Sequence, residues 1–181
     1  MFWHNIGELL SGYWVTFGYG LLNTLILAVV GTVVGLVIGI FAGQVRNIKC
    51  RADDPWFAKL PKKCAVWLAV AYVTFFRGTP MMVQAIILYL AGPYIGLKWL
   101  NWTIAGDIGR VFNGQMYCGL IVICINTGAY MTEIIKSGMN GVDPGQAEAA
   151  RSLGLSNTKT LWGITLPQAI RNCLPTIGNE Y

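Results

Sequence analysis

The chain has 181 residues, 55% of them hydrophobic and only 12% charged, with a formal net charge of +5. A soluble domain carries about 25% charged residues, so the composition points to a membrane protein, and the small basic excess carries no nucleic-acid reading. The single histidine, His4, and five scattered cysteines without a CxxC pair (Cys50, Cys64, Cys118, Cys124, Cys173) remove most Ser/His, Cys/His and zinc-hydrolase chemistries. These cysteines read as small buried or membrane-embedded thiols, with no metal or cofactor site.

No Lys, Arg, Asp or Glu occurs between Glu8 and Arg46, between Arg77 and Lys98, or between Arg110 and Glu133. Roughly 20 apolar helical residues cross a bilayer core, so each window is long enough to span it. The N-terminus lacks the basic region and small-residue cleavage site of a signal peptide, and its first apolar segment is expected to remain as an anchor. Trp3, Tyr13, Trp14 and Phe17 suit the headgroup level. The first span is expected at about 19–43. Gly31, Gly35, Gly39 and Gly43 fall every fourth residue on one face, where another helix can approach closely.

Residues 44–63 are the most basic stretch, with Arg46, Lys49, Arg51, Lys59, Lys62 and Lys63 against Asp53 and Asp54. Short loops rich in Lys and Arg stay in the cytoplasm, which places the N-terminus outside. The apolar run 64–76 is short for a span and reads as an interfacial or partly buried helix. Arginine at mid-bilayer costs about 2.5–3.5 kcal/mol, so Arg77 is expected near the cytoplasmic surface. Pro80 suits the first turn of the next helix. The second span then covers about 81–97, although one continuous kinked helix over 64–90 is the alternative. An outer loop, 98–112, carries Lys98, Asp107 and Arg110, with Trp99 and Trp102 at its membrane edge. The third span, about 114–135, returns inward. The expected fold class is all-α, a polytopic helical membrane protein.

From Gly141 to Pro167 the composition turns polar and helix-friendly. Asp143 is placed as an N-cap, Pro144 fits the first helical position, and Gln146 stands where a capping box needs its amide. The helix runs through Ala147, Glu148, Ala149, Ala150, Arg151, Ser152 and Leu153. Gly154 can end it in the left-handed conformation, and Ser156 can cap a second helix. A short helix with small alanines and a Glu–Arg pair suits a groove in another protein, although the pattern shows no large anchoring side chain. A solvated loop helix is the equally open alternative.

Glu148-Ala149-Ala150, then Gly154, then Ile164-Thr165-Leu166-Pro167 resembles the EAA loop of ABC importer permeases. Phe76-Arg77-Gly78-Thr79-Pro80-Met81-Met82-Val83-Gln84 and Gly128-Ala129-Tyr130-Met131-Thr132-Glu133-Ile134-Ile135 resemble the polar-amino-acid branch of that family. The resemblance covers nearly the whole chain. It implies a type I ABC importer transmembrane domain forming one permease domain, 1–181. A further span starts at about 168, and the chain stops before the family's last spans.

The resemblance further implies a multi-pass protein of a bacterial plasma or inner membrane that moves a polar amino acid inward. Its partners would be a pair of ABC ATPase subunits, a second permease subunit (identical or not) and an extracytoplasmic solute-binding protein. Gln146, Ala147, Glu148, Ala149, Ala150, Arg151 and Gly154 would couple the ATPase to the spans. No catalytic residue is expected, and no GxxxxGK[ST] phosphate loop occurs. A permease for another small solute and a non-transporting scaffold are the alternatives. Asn126, Tyr130 and Glu133 share one face of the third span. They either line the substrate path or bind helices together, or Glu133 lies at the inner surface.

Overall fold

The computed structural model describes residues 2–48, 55–98 and 111–179. The architecture is all-α. Among the described residues the helices are α1 (Phe2–Arg46), α2 (Trp56–Gly78), α3 (Met81–Ala91), α4 (Gly114–Asn140), α5 (Pro144–Ser152), α6 (Asn157–Thr160) and α7 (Leu166–Asn179). Ser11–Arg46 and Gly114–Asn140 are long and apolar enough to cross a membrane. Among the described residues, a third crossing arises only if the bent pair α2 and α3 counts as one span.

Several expected boundaries move. α1 has 45 residues and starts well before the apolar run, because nothing in its aromatic and polar beginning breaks a helix. The basic stretch is helical from Trp56 onward, with Pro61 inside α2. The short apolar run is therefore the later part of a 23-residue helix. α2 and α3 are not one continuous helix. Thr79 and Pro80 separate them, and Pro80 takes the N-cap position with φ −61° and ψ 129° rather than the first helical turn. The Gln84 side chain reaches back to donate to Thr79 Oγ1 at 2.6 Å and to its carbonyl at 3.1 Å, which holds this start in place. α3 has only 11 residues before a 3₁₀ turn at Gly92–Ile95, about 17 Å of helix at 1.5 Å per residue, short of a bilayer core on its own. Lys49, Cys50, Arg51, Asp53, Asp54, Trp99, Trp102, Asp107 and Arg110 lie outside the described residues.

The chain divides into two compact units. The first comprises Met1–Val33 and Thr79–Cys124. Here a Cβ on Gly31 would come within 2.5 Å of Ile123 Cγ2, so the glycine is what lets α1 and α4 touch. Cys118 Sγ donates to the Ala85 carbonyl at 3.4 Å, and Asn113 Oδ1 caps α4 by accepting from the Met116 N–H at 2.8 Å.

The second unit comprises Val34–Gly78 and Ile125–Tyr181. The glycine stripe continues: a Cβ on Gly35 would lie 2.6 Å from Thr127 Cγ2, and one on Gly43 would lie 3.1 Å from Ile135 Cγ2. A Cβ on Gly39 would run into Met131. The partners also recur every fourth residue, so a smooth strip of α1 receives a ridge of α4. The core of this unit joins Ile135, Met139 and Val142 to Ala169 and Cys173 of α7. α7 is amphipathic, and Leu166, Ala169 and Cys173 form its buried face. Gly138 is obligatory at this crossing, since a Cβ there would collide with Cys173 Sγ and approach the Ala169 carbonyl oxygen to 2.7 Å. Cys118, Cys124 and Cys173 are buried, whereas Cys64 is exposed.

Candidate functional site

The polar segment after α4 forms its helix by local means. Asp143 Oδ1 accepts from the Gly145 N–H at 2.9 Å, and Pro144 starts α5 without wasting a donor. The expected capping box is half made: Gln146 is exposed and its side chain takes no part. At the other end the Leu155 N–H reaches the Ala150 carbonyl at 3.1 Å, and the Gly154 N–H reaches that of Arg151 at 2.9 Å. These two bonds form a Schellman motif, and Gly154 has the φ of +84° that it requires. Ser156 Oγ then accepts from the Lys159 N–H at 3.4 Å to start α6. A five-residue π turn at Leu161–Thr165 follows, closed by the Leu166 N–H on the Leu161 carbonyl. Pro167 gives a physical cause, because it has no N–H for the Gly163 carbonyl.

Burial divides α5 into two sides. Ala150 is 2% exposed and Ala147 half-buried, whereas Gln146, Glu148, Ala149, Arg151 and Gly154 are exposed. Leu153, which the sequence pattern does not mark as an anchor, is 83% exposed. Beside the helix lies an open cavity of about 760 Å³ lined by Gln44, Lys62 and Thr160 and, from α5, by Ala147 and the exposed Glu148 and Arg151. Among the described residues, Gln44 Nε2 and Thr160 Oγ1 are buried polar atoms that find no hydrogen-bond partner.

Asn126, Tyr130 and Glu133 converge on the end of α2. Asn126 Nδ2 donates to the Phe76 carbonyl at 2.9 Å. The Arg77 guanidinium lies 4.8 Å from the centre of the Tyr130 ring, a cation–π geometry. Glu133 Oε1 takes Nη1 of Arg46 at 2.5 Å, and Nη1 of Arg77 stands 3.7 Å away. One carboxylate on α4 thus meets arginines from the last turns of α1 and α2. The helical spacing of the three residues is readable in the sequence; Arg46, 87 residues from Glu133, is not. A weaker signal was present, since charges at both edges of charge-free windows have few partners to choose from.

The family described as "Binding-protein-dependent transport system inner membrane component" matches residues 56–181. The chain is 40% identical over 123 residues to a protein of Rickettsia typhi designated a glutamine transport system permease protein, covering 67% of this chain and 50% of that one. It is 36% identical over 115 residues to the arginine transport system permease protein ArtQ of Bacillus subtilis, covering 64% and 47%. A solved structure described as an amino acid ABC transporter with histidines matches 87% of this chain and 61% of its own, with a TM-score of 0.61 and 31% identity. The chain spans about half the length of the curated relatives it matches. The family match covers α2 to α7, including the capped α5 and, of the cluster on Glu133, Arg77, Asn126, Tyr130 and Glu133 but not Arg46. The chain belongs to the family of binding-protein-dependent transport system inner membrane components.

Proposed function

We propose that this chain is the membrane-spanning permease subunit of an ATP-driven importer for a polar amino acid. Family membership supports the transport role, and the designations of the relatives, glutamine for one and arginine for another, support the amino-acid class. In this reading the protein sits in a bacterial inner membrane with its N-terminus outside. It pairs with a second permease subunit, identical or not, receives solute from an extracytoplasmic binding protein, and leaves ATP hydrolysis to a separate ATPase pair.

The observation that carries the mechanism is α5. Gln146, Ala147, Glu148, Ala149, Ala150 and Arg151 lie in a helix closed at both ends, with Gly154 in the turn that closes it; Ala150 faces inward, while Gln146, Glu148, Ala149 and Arg151 are exposed. A helix so closed transmits a push as a rigid body, where an open loop would absorb it. Closure of the ATPase pair against α5 would move α5, and with it the π turn and α7, against α4. Asn126, Tyr130 and Glu133 are assigned to holding α4 against the ends of α1 and α2 rather than to contacting solute. Their hydrogen bond, ring contact and ion pairs support that role.

Site-specific crosslinking tests the coupling. Ala149→Cys is introduced into a version without native cysteines and co-expressed in membranes with an ABC ATPase. A crosslink whose yield responds to nucleotide is the expected result. Failure to crosslink any such ATPase, in protein that remains folded, overturns the coupling role in favour of a scaffold.

A further inference from the structure

We propose that the first turns of α2 form a binding site for an anionic phospholipid. Trp56, Phe57 and Leu60 sit among the lipid's upper acyl chain, and Lys59 and Lys63 meet its headgroup phosphate. The site requires only that the chain lies in a membrane. It is independent of the coupling role of α5 and of the side of the bilayer from which α2 starts.

The apolar half of the site is one end of a longer stripe. At 3.6 residues per turn, Trp56, Leu60, Cys64 and Trp67 fall within about 80° of one another on α2, and Phe57 and Leu68 widen the same face. All six are exposed, Trp56 at 78%. The other side of the helix turns inward, where Ala69 and Val73 are buried and Lys62 lines the cavity beside α5. The bent pair of helices that qualifies as one span begins at Lys59, so Cys64, Trp67 and Leu68 belong to it and the bilayer is what covers them. The stripe continues without a break back to Leu60, Phe57 and Trp56, and so does its cover.

Two features set the depth of these first turns. Trp56 and Phe57 stand within a turn of the start of that span, where aromatic rings favour the headgroup level. Their rings meet edge to face with centroids 6.3 Å apart, which makes them one wedge. Pro61, inside the helix, has no N–H to offer the Phe57 carbonyl. Hydrocarbon would leave such a group unserved, whereas water among the headgroups can reach it. Apolar side chains on a backbone that needs water are satisfied together only at the membrane boundary.

Charge selects the kind of lipid. Lys59, half-buried, and Lys63, exposed, lie one turn apart along one flank of the stripe. No Asp or Glu occurs from Trp56 to Gly78. Lysine stems run along apolar surface while their ammonium groups reach the headgroups. A free phosphate would meet the cations and leave the wedge uncovered. A zwitterionic lipid would cover the wedge and give the cations no net charge to neutralise. An anionic phospholipid does both.

The test titrates the delipidated full-length protein, in non-ionic detergent, with phosphatidylglycerol or phosphatidylcholine and counts bound lipid by native mass spectrometry. Each basic residue near the surface is worth about a factor of five, so phosphatidylglycerol should bind about 10- to 30-fold more tightly at one site. Lys59→Gln with Lys63→Gln should abolish that preference and leave phosphatidylcholine binding unchanged. Lys59→Arg with Lys63→Arg, which keeps the charge, should retain it. Trp56→Ala with Phe57→Ala should weaken both lipids alike. Equal binding of the two lipids to the unsubstituted protein overturns the site, as does a preference that survives the double Gln variant. Displacement of the bound lipid by equimolar inorganic phosphate would make this a phosphate site instead. In a version without native cysteines, a crosslink in membranes from Trp56→Cys to another protein would assign the face to a protein interface and overturn the lipid site.

Discussion

Glu133 shows how much one carboxylate can organise when two helices end beside it. Arg46 is the tighter partner and the more enclosed, its side chain 11% exposed against 41% for Arg77. An enclosed guanidinium that loses its carboxylate keeps its desolvation cost, whereas an open one regains water. The two ion pairs should therefore be unequal. In double-mutant cycles with Glu133→Gln, followed by thermal unfolding in detergent, coupling to Arg46 should fall within about 0.5–3 kcal/mol. Coupling to Arg77 should stay below about 1 kcal/mol. Equal couplings would mean that the shared oxygen is not the point of contact. The charge-free windows that revealed the spans also hid this cluster, because they say where charges are absent and not which surviving charges meet.

At the scale of the element, α5 is the best-specified piece of the chain. Its N-cap, first-position proline and C-terminal glycine are all neighbours in sequence, and each forms the local contact expected of it except the Gln146 amide. Gly154 is the position where a side chain matters most, since φ of +84° is costly for a β-branched residue and far less so for asparagine. Gly154→Val should lose about 1–2 kcal/mol at this corner and, if α5 has the coupling role proposed for it, lower substrate-stimulated ATP hydrolysis in the assembled complex. Gly154→Asn should retain most of it. Unchanged coupling in Gly154→Val would show that the corner does not transmit force. α2 behaved differently. Its start inside the basic stretch, across Pro61, was not legible, because charged and apolar residues alike are good helix formers and a single proline does not always stop a helix.

At the scale of the whole molecule, the glycines of α1 decide how closely two long helices can approach. Where a stripe of backbone faces a ridge of side chains, added atoms have nowhere to go. Gly39→Ala should cost about 1–3 kcal/mol, measured as a lowered unfolding temperature, because its Cβ would run into Met131. Gly18→Ala, with nothing within 4 Å of its Cβ, should be neutral or slightly stabilising. A reversed order would show that the α1–α4 contact is not close. The number of crossings is a separate matter: Ser11–Arg46 and Gly114–Asn140 qualify on their own, and the break at Thr79 and Pro80 keeps α3 from qualifying alone.

What the sequence by itself determined is what neighbours in the chain can enforce. Apolar composition, charge-free windows, the four-residue glycine period and the caps of α5 all act over a few residues, and each is written where it acts. The tertiary structure decided which distant groups meet and which are left uncovered. Arg46 reaches Glu133 across 87 residues, and Asn126 finds the Phe76 carbonyl. Ala150 is buried while Leu153, three positions on, stands exposed. These outcomes follow from how helices pack, because a helix offers several faces of similar composition and only the neighbours it meets settle which one is buried.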